Sequence, residues 1–338
     1  MRVVELRGFG LDQLHLAERA EPQPGPGDVL VRMRAVSLNY RDLLICTGSY
    51  DPKLHLPRVP ISDGAGEVLA VGPGVSRFAP GDRVAANFFP NWQAGPISSE
   101  RIRPALGGDC DGMLAELVVL PERAWLPLPV TLSFEEGATL PCAALTAWNA
   151  LFAGPSVLTA GQTVLVQGTG GVSIFALQLA KLAGARVIVT SSSDEKLNRA
   201  VGLGADDTIN YRTTPEWDKR VRELTDGRGV DQVVEVGGAG TLNRSLRAVR
   251  TGGTISLIGV LTGAAGSVDT VLVLMRAITV RGIFVGSCEL FAAMNRAIEQ
   301  ARLKPVIDRV FDFEQAAEAL RYLQSATHFG KIVVRVGS

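Results

Sequence analysis

Residues that bind transition metals or form disulfides are scarce in this chain of 338 residues. It has four cysteines and three histidines, and no two cysteines lie close in sequence. This pattern fits neither a disulfide scaffold nor a Cys-x-x-Cys metal site, and it leaves few ligands for a zinc ion. Because unpaired cysteines are typical of a reducing compartment, we expect a cytoplasmic protein.

An excess of one charge and a long apolar run are also missing. Lysine plus arginine and aspartate plus glutamate both number 34, whereas a protein that holds nucleic acid by its phosphates normally has a basic excess. The sequence has no run of about 18 uncharged apolar residues, which is the pattern that predicts a membrane span. We therefore expect neither nucleic acid nor a membrane as a partner. Apolar residues make up 46% of the chain, which excludes a disordered protein. The length of the chain suggests two domains.

The first 128 residues are predicted to form a small β-rich domain. Strand-like runs at 29–36 and 64–72, and a turn at 80–82 that leads into a third strand, are separated by frequent proline and glycine. Residues 88–112 are rich in proline and glycine and show no strong period. We expect this segment to form an ordered excursion or a lid.

The sequence pattern changes near residue 130. Ser133 is predicted to cap a helix, with Glu136 at the capping-box position. From residue 163, apolar strands alternate with amphipathic helices, which is typical of a doubly wound parallel α/β sheet. The predicted strands are Thr163–Gln167, Arg186–Thr190, Asp207–Asn210, Asp231–Val236, Thr254–Ile258 and Ile278–Val285. A helix over 313–323 and a strand over 330–336 are predicted to follow.

A glycine-rich turn between a strand and a helix is the most informative motif. Residues 164–173 read Val-Leu-Val-Gln-Gly-Thr-Gly-Gly-Val-Ser. Gly168 allows a tight turn and Gly170 lets backbone amides approach a pyrophosphate, which the N-terminus of the next helix, predicted over 174–183, would face. Ser173 stands where the usual pattern has its last glycine. The predicted cofactor contacts of this turn are Gly168, Thr169, Gly170, Gly171 and Val172.

The end of the second predicted strand indicates which dinucleotide binds. Folds that bind NAD usually carry an acid there to hold the ribose 2′-hydroxyl, and this chain has Ser191 at that position. A serine leaves room for the 2′-phosphate of NADP. We therefore favour NADP(H) over NAD(H), with Ser191, Ser192, Lys196 and Tyr211 as contacts. The alternative is that Lys196 is solvated and that Ser192 caps the next helix, with Glu195 completing a capping box.

Together these motifs resemble the medium-chain dehydrogenase/reductase superfamily over almost the whole chain. The resemblance rests on the stretches at 56–68 and 80–84, on the glycine-rich turn, and on the closing Gly-Lys-Ile-Val-Val at 330–334. It implies a GroES-like catalytic domain made of residues 1–128 and 287–338. It also implies a Rossmann NADP-binding domain of residues 129–286.

The resemblance also indicates which branch of the superfamily is nearer. The three catalytic zinc ligands of the zinc branch fall on Asn39, Ser62 and Cys142, and Asp63 stands where that branch has a glutamate. Asn39 and Ser62 are poor zinc donors, and residues 88–112 contain one cysteine where a structural zinc needs four. We therefore expect no zinc. The resemblance is to the zinc-free, quinone oxidoreductase-like branch.

The stretch at 38–42 is similar to the matching stretch of the zinc-free reductases and implies a substrate site. Asn39 would lie near the nicotinamide and donate a hydrogen bond to a substrate oxygen, although a later tyrosine of that family falls on Leu44 here. The alternative is a turn or helix cap with Arg41 and Asp42 at the surface. Cys142 has no neighbouring base, so we do not expect a nucleophile. The candidate catalytic residues are Asn39, Tyr40, Asp42, Tyr50, Asp63, Cys142 and Thr146.

Further cofactor contacts are implied at the carboxyl ends of the later strands, where ligands bind in such sheets. Gly237 and its neighbour Gly238 would pass close to the ribose. Backbone groups near the carboxamide would come from Gly259, Val260, Phe284 and Val285. For the apolar members of this set, ordinary core packing is the alternative.

The predicted function is hydride transfer from NADPH to a quinone or an activated alkene without zinc. Conjugation spreads the developing charge in such acceptors, so one or two hydrogen bonds can replace a Lewis acid. The alternatives are a zinc-independent alcohol or carbonyl oxidoreductase, with Tyr40 or the Arg41–Asp42 pair as proton relay, and a regulatory NADPH-binding module with little turnover. By the same resemblance, the apolar segment 271–285 corresponds to the edge of the Rossmann sheet through which relatives commonly form homodimers.

Overall fold

The computed structural model describes residues 1–337. They form two compact units, one made of residues 1–145 and 285–337 and the other of residues 146–284. The first unit is β-rich and the second is an α/β unit built on a parallel sheet, as the sequence predicts. Within residues 1–337, no helix combines the length and the apolar character that crossing a membrane requires.

Most of the described residues lie in strands and helices. The strands are β1 (Arg2–Leu6), β2 (Leu14–Glu18), β3 (Asp28–Ser37), β4 (Asp63–Val71), β5 (Arg83–Ala86), β6 (Leu117–Pro121), β7 (Trp125–Pro127), β8 (Thr163–Gln167), β9 (Arg186–Ser191), β10 (Asp207–Asn210), β11 (Val230–Glu235), β12 (Val249–Leu257), β13 (Thr279–Gly282), β14 (Ile307–Phe311) and β15 (Lys331–Arg335). The α-helices are α1 (Tyr40–Cys46), α2 (Phe134–Ala138), α3 (Leu145–Phe152), α4 (Gly171–Leu182), α5 (Asp194–Gly202), α6 (Trp217–Leu224), α7 (Ala239–Ala248), α8 (Thr270–Met275), α9 (Cys288–Ala301) and α10 (Ala316–Gln324). One π-helical turn spans Leu140–Ala144.

The first unit is organised around β3, the longest of its strands. One side of β3 pairs antiparallel with β4, and the other side is shared by β6 at its beginning and β15 at its end. Every second residue of its first half, Val29, Val31 and Met33, is buried in the core of this unit, as the alternating pattern predicts. The sheet thereby brings the start of α1, the start of β4 and the start of β15 to the same end of β3.

The boundary between the units lies later in the chain than the predicted boundary at 128/129. Residues 129–145 belong to the first unit, because α2 packs on β3, β4, β5 and β15 and the π-helical turn packs on β4 and β5. Ser133 caps α2, and its hydroxyl accepts a hydrogen bond from the backbone N–H of Glu136, so the predicted capping box is confirmed. A helix at this point therefore does not mark the start of the α/β unit.

Residues 88–112 form an ordered irregular segment with an aromatic core of its own. Phe88, Phe89 and Trp92 are buried, and the rings of Phe88 and Phe89 meet edge to face with centroids 4.6 Å apart. The backbone oxygen of Trp92 accepts a hydrogen bond from the N–H of Cys288 at the start of α9. Aromatic packing thus orders a segment that contains only one cysteine.

The second unit contains a six-stranded parallel sheet in the order β10-β9-β8-β11-β12-β13. Because β8 is its first strand, this is the doubly wound order with the switch point between β8 and β11, where ligands bind at the carboxyl ends of the strands. β8 and β10 have the predicted bounds. β12 begins at Val249 rather than at 254, and β13 is limited to Thr279–Gly282 within the predicted 278–285.

Candidate active site

The glycine-rich turn after β8 has the geometry of an anion-binding turn. Gly168 has a φ of 72°, a left-handed conformation that favours glycine. A Cβ at Gly170 would meet nothing within 4 Å, so the backbone there is open to a ligand. Thr169 between them is buried, whereas Gly171 and Val172 begin α4.

The N-terminus of α4 has no side-chain cap. Its N-cap residue is Gly170, so no side chain accepts a hydrogen bond from the first-turn N–H groups at the positive end of the helix dipole. Ser173 is buried, and its hydroxyl donates to the backbone oxygen of Gln167 at 2.7 Å. The serine therefore ties α4 to the end of β8 where the usual pattern has a glycine. This turn suits a pyrophosphate.

A buried carboxylate, Glu235 at the end of β11, organises the turns around this site. Its oxygens accept hydrogen bonds from Gln167 Nε2 (2.6 Å), the N–H of Gly237 (2.8 Å), the N–H of Gly238 (3.1 Å), Thr241 Oγ1 (2.6 Å) and Ser245 Oγ. The side chain thus joins the end of β8 to the turn after β11. Glu235 was not among the residues predicted from the sequence, although an acid that ends an apolar strand was a visible signal.

The turn after β12 is tied to the turn after β11. The N–H and the hydroxyl of Thr262 both donate to the backbone oxygen of Gly237, at 2.7 and 2.9 Å. A Cβ at Gly259 would lie 2.2 Å from the backbone oxygen of Val236, so this close approach requires glycine. Val260 is 45% exposed, which leaves its side chain available to a ligand rather than in the core.

The carboxyl end of β9 carries the residues predicted to select the dinucleotide. Ser191 is buried, and its backbone oxygen accepts a hydrogen bond from the N–H of Tyr211 at 3.0 Å. The side chain of Tyr211 is 42% exposed. Ser191 and Tyr211 therefore lie side by side at the ends of β9 and β10.

The cap of α5 differs from the alternative drawn from the sequence. Ser193, not Ser192, is the N-cap residue, and its hydroxyl accepts from the backbone N–H of Lys196 at 3.3 Å. The alternative was wrong by one residue, and Glu195 does not complete a capping box because the third helical position is Lys196. Ser192 is therefore not used as a cap.

Three predicted residues lie near the boundary of the units. Thr146 begins the second unit and is buried in α3. Phe284 ends the second unit with 38% of its surface exposed, and Val285 begins the last part of the first unit. Val285 has a φ of 55°, which is strained for a β-branched residue.

In the first unit, the structure brings most of the candidate catalytic residues into one buried cluster. Asn39 is the N-cap residue of α1, and its N–H donates to Asp42 Oδ2 at 2.8 Å. The other oxygen of Asp42 accepts from the N–H of Ser62 at 3.3 Å. Asp42 is buried, so its carboxylate holds the turn at Asn39 and is not a surface group.

Ser62 and Asp63 continue this cluster at the start of β4. The Ser62 hydroxyl donates to Asp63 Oδ1 at 2.8 Å, and the backbone N–H of Cys142 donates to Asp63 Oδ2 at 2.9 Å. Ser62 and Asp63 are fully buried, whereas Cys142 is half-buried. Asp63 thereby fixes the π-helical turn that carries Cys142.

A lysine that was predicted only as part of the last strand completes the cluster. Lys331, the first residue of β15, is 3% exposed. Its Nζ donates to Asn39 Oδ1 and to the backbone oxygen of Leu38, both at 2.6 Å. Lysine is almost never buried to this extent unless it is paired. A charged residue at the start of an otherwise apolar strand was the signal that could have revealed it.

Burial shifts the pKa values of the ionisable groups in this cluster. Burial raises the pKa of Asp42 to about 6, although the Arg41 guanidinium opposes the shift. It also raises the pKa of Asp63 against the Lys331 ammonium, and lowers the pKa of Lys331 against Asp63. The pKa of the Cys142 thiol is raised by burial and by the Asp63 charge. A thiol with a raised pKa is a poor nucleophile at neutral pH.

Tyr40, Arg41 and Tyr50 lie at the outer side of the cluster. Tyr40 and Tyr50 are 42% and 43% exposed. The Arg41 guanidinium lies over the rings of Tyr50 and Phe88, 5.3 and 4.7 Å from their centroids, and donates to the backbone oxygen of Leu106 at 2.6 Å. The alternative of a helix cap at this stretch is confirmed, because Asn39 caps α1 and Asp42 completes the capping box; the Arg41–Asp42 surface role that went with it is wrong, because Asp42 is buried. Arg41 instead fastens α1 to the segment 88–112.

Known proteins match both units. Residues 25–130 match the alcohol dehydrogenase GroES-like domain, and residues 171–301 match the zinc-binding dehydrogenase family. A zinc-type alcohol dehydrogenase-like protein of Schizosaccharomyces pombe is 47% identical over 98% of this chain and 97% of its own. The chain belongs to the medium-chain dehydrogenase/reductase superfamily. The resemblance drawn from its motifs is thereby confirmed.

Other members of the superfamily are similar over the full length. Quinone oxidoreductase of Rattus norvegicus is 30% identical over 99% of this chain and 96% of its own. The crystal structure of an NAD-dependent alcohol dehydrogenase is 41% identical, with a TM-score of 0.91 over 100% of both chains. The crotonyl-CoA carboxylase/reductase AntE in complex with NADP is 26% identical, with a TM-score of 0.88 over 99% of this chain and 94% of that one. The protein is therefore an oxidoreductase of a superfamily whose members bind nicotinamide cofactors.

The names of several relatives imply zinc, and the residues present do not fit it. Of the three superfamily ligand positions, only Cys142 offers a good zinc donor. The Asn39 oxygen already accepts from a cation, and the Ser62 hydroxyl donates to Asp63. Residues 1–337 contain no group of three or more His, Cys, Asp or Glu side chains arranged to hold a metal ion. Zinc therefore does not fit the residues at these positions.

Proposed function

We propose that this superfamily member transfers hydride from NADPH to a quinone or an activated alkene without zinc. The observation that carries the proposal is the Asn39 cluster, which has an amide held by a buried lysine where the zinc branch has a metal ligand. Bound NADPH would supply the hydride from its dihydronicotinamide ring. The turns after β8, β11 and β12 would hold that cofactor in the second unit.

The chemistry of the Asn39 cluster favours a conjugated acceptor. A saturated ketone builds full charge on one oxygen and usually needs a Lewis or Brønsted acid. In an enone, hydride adds to the β-carbon, the double-bond electrons move toward the oxygen, and water supplies a proton to the α-carbon. The Asn39 amide needs only to donate a hydrogen bond to that oxygen, which is the kind of stabilisation that fixed donors provide. Tyr40 is a second candidate donor because it is exposed beside Asn39.

The end of β9 supports NADPH as the preferred dinucleotide. Ser191 offers no carboxylate to repel a 2′-phosphate, and Tyr211 places an exposed phenol beside it. AntE, a structural relative, is described in complex with NADP. Because another relative is described as NAD-dependent, cofactor preference needs a direct test.

The unpaired cysteines agree with the cytoplasmic location expected from the sequence.

A relative that is 47% identical is named a zinc-type alcohol dehydrogenase-like protein, which favours an alcohol or carbonyl oxidoreductase as the second candidate. In this chain that candidate would be zinc-independent, because Asn39 and Ser62 are poor zinc donors. In this alternative Tyr40 would relay the proton. The Arg41–Asp42 relay has no support, because Asp42 is buried against backbone amides and Arg41 is bonded to Leu106. The two functions differ in whether the acceptor must be conjugated.

The deciding experiment compares matched acceptors with the purified, metal-analysed protein. NADPH oxidation is followed with 1,4-benzoquinone, with 3-penten-2-one, and with its saturated counterpart 2-pentanone. We expect turnover with the quinone or the enone and at least about tenfold less with the saturated ketone, because conjugation removes the need for a strong acid. Equal or faster turnover of 2-pentanone, or NADP⁺ reduction by 2-pentanol at a similar rate, would replace the proposal with the alcohol dehydrogenase alternative.

Cofactor preference is tested by Ser191→Asp. We expect the ratio of kcat/KM for NADPH over NADH to fall by at least about tenfold, because a carboxylate repels the 2′-phosphate and binds the 2′-hydroxyl. Thr159→Asp places the same charge on an exposed residue of the same unit and should leave the ratio unchanged. An unchanged ratio in Ser191→Asp would mean that the end of β9 does not select the dinucleotide.

A further inference from the structure

We propose that Lys331 is a positioning residue that fixes the Asn39 carboxamide with its oxygen inward and its NH₂ group toward the acceptor. The inference rests on the proposed function, because it names the residue that gives Asn39 its donor role. Lys331 itself does not contact the substrate. It acts through Asn39.

The direction of the carboxamide follows from the chemistry of its partner. A lysine ammonium has three donors and no acceptor. Nζ of Lys331 lies 2.6 Å from the Asn39 side chain, so the amide atom that faces it must be the oxygen. The two ends of an asparagine amide are otherwise nearly indistinguishable and must be assigned from the hydrogen-bond network. Lys331 therefore removes the ambiguity in this protein.

Lys331 is itself held in one place. A second bond, at 2.6 Å, joins its Nζ to the backbone oxygen of Leu38, the residue before Asn39. β15 pairs antiparallel with the end of β3, with Val333 opposite Ser37. The backbone N–H of Leu38 in turn donates to the backbone oxygen of Ile332 at 3.0 Å. The backbone hydrogen bonds that join β15 to β3 and to Leu38 thus set the distance between the Lys331 ammonium and the Asn39 amide.

The NH₂ end of Asn39 lies on the side of Ser62. Its Nδ2 is 3.5 Å from the Ser62 hydroxyl, which gives its own proton to Asp63. A contact of 3.5 Å is at the limit of a hydrogen bond. The Asn39 side chain also bonds the Asp63 carboxylate and thereby lowers the pKa of Asp63 against the effect of burial. An amide NH₂ group has two N–H donors, so one can serve these neighbours while the other donates to an acceptor oxygen. A cation bonded to the amide oxygen also polarises the amide and strengthens the NH₂ group as a donor.

Burying the ammonium has a cost that packing alone does not explain. Lys331 is the start of a strand whose next three residues, Ile332, Val333 and Val334, are apolar and buried. An apolar residue at its position would continue that pattern without desolvating a charge. The ammonium is instead placed within bonding distance of a candidate catalytic residue. Buried, perturbed groups of this kind are concentrated at functional sites.

The test is a double-mutant cycle between Asn39→Ala and Lys331→Met, with kcat measured at saturating NADPH and acceptor. We expect Asn39→Ala to lower kcat about 100-fold, as loss of one fixed donor does, and Lys331→Met to lower it about tenfold. If Lys331 acts through Asn39, adding Lys331→Met to Asn39→Ala lowers kcat no further. Multiplying effects would overturn the proposal.

Two further variants separate the lysine contact from the donor role. Asn39→Asp keeps an acceptor for Lys331 but has no NH₂ group, so kcat should fall as far as in Asn39→Ala. Wild-type kcat in Asn39→Asp would overturn the proposal. Lys304→Met is the matched control, because Lys304 also bonds a backbone oxygen, that of Thr131 at 2.6 Å, and a side chain, Glu136 at 2.9 Å. Its kcat should match the wild type.

A spectroscopic arm keeps the inference independent of the proposed function. In protein labelled with ¹⁵N-asparagine, the Asn39 NH₂ signals, assigned by their loss in Asn39→Ala, should shift and exchange with water at least about tenfold faster in Lys331→Met. Unchanged signals would overturn the proposal. If Lys331→Met does not fold, Lys331→Gln is used, since its amide also accepts and lets Asn39 turn over. A wild type inactive on quinones and enones would refute the proposed function alone.

Discussion

At the scale of single residues, Asp42 is a buried carboxyl whose main task is to hold backbone. Its oxygens accept from the N–H groups of Asn39 and Ser62, and burial raises its pKa to about 6. A group whose pKa is raised by folding binds its proton more tightly in the folded chain. The stability that this proton binding contributes is complete below the unfolded pKa, near 4, and is lost as the pH rises through about 6.

The upward direction of this pKa shift gives a prediction for the variant Asp42→Asn, whose side chain cannot ionise. The free energy of unfolding of the wild type minus that of the variant should fall by about 1–3 kcal/mol between pH 4.5 and pH 7. Chemical unfolding of both proteins across this range measures the difference. Parallel pH profiles would show that the Asp42 carboxyl does not titrate differently in the folded protein.

At the scale of elements, Glu235 connects strands that the sequence presents as separate. Its carboxylate receives bonds from the end of β8 and from the turn after β11, and its backbone oxygen accepts from the N–H of Ile258 after β12. Three of the turns that would bind the cofactor thus share one anchor. This anchor is fully buried.

We expect Glu235→Gln to damage cofactor binding as well as stability. A glutamine would place an NH₂ group against donors, so bonds to a charged acceptor, each contributing about 1.5–3 kcal/mol, would be lost. The Kd for NADPH should rise about tenfold or more, since each 1.4 kcal/mol is a factor of ten. Titration of NADPH fluorescence and thermal unfolding measure both effects.

The control for this prediction is Glu223→Gln on α6. Glu223 forms an exposed ion pair with Arg220, and such pairs contribute at most about 1 kcal/mol. Its Kd and melting temperature should stay near the wild type. A Kd in Glu235→Gln equal to that of Glu223→Gln would mean that the turns are held without the carboxylate.

Elements also show how far the sequence could be interpreted. The turn at Gly168 was predictable because glycine readily adopts the left-handed backbone conformation that the turn requires. The succession of strands along the chain was predictable because each strand is a local run of apolar residues. The pairing of Lys331 with Asn39 joins residues 292 positions apart, and no local pattern carries that information. The N-cap at Ser193 was missed by one residue, because either of two adjacent serines fits the same signal.

At the scale of the whole molecule, we propose that the protein is a homodimer. α8 exposes Val271, Leu274 and Met275 to the extent of 64, 78 and 75%. Within residues 1–337, the neighbouring strand β13 pairs only with β12. An exposed edge strand beside an apolar helix is a surface that proteins usually cover.

One chain has a mass of 35.9 kDa. Light scattering at micromolar concentration should therefore report twice that mass. Leu274→Asp should shift the protein toward the monomer, because a charge in an apolar interface is costly. Val130→Asp is the matched control, since Val130 is equally exposed at 78% but lies in the first unit. A wild type that is monomeric at this concentration would refute the proposal.

The discontinuity of the first unit has a consequence for biosynthesis. Residues 146–284 are contiguous, whereas β15 is made only after them and pairs with β3. Because synthesis runs from the N-terminus, the ribosome releases all of the second unit before it releases Lys331, and domains generally fold as units during synthesis. The amide at Asn39 thus acquires its lysine partner only after the whole second unit has been synthesised, and a nascent chain can hold a finished Rossmann-type unit while the Asn39 cluster is still incomplete.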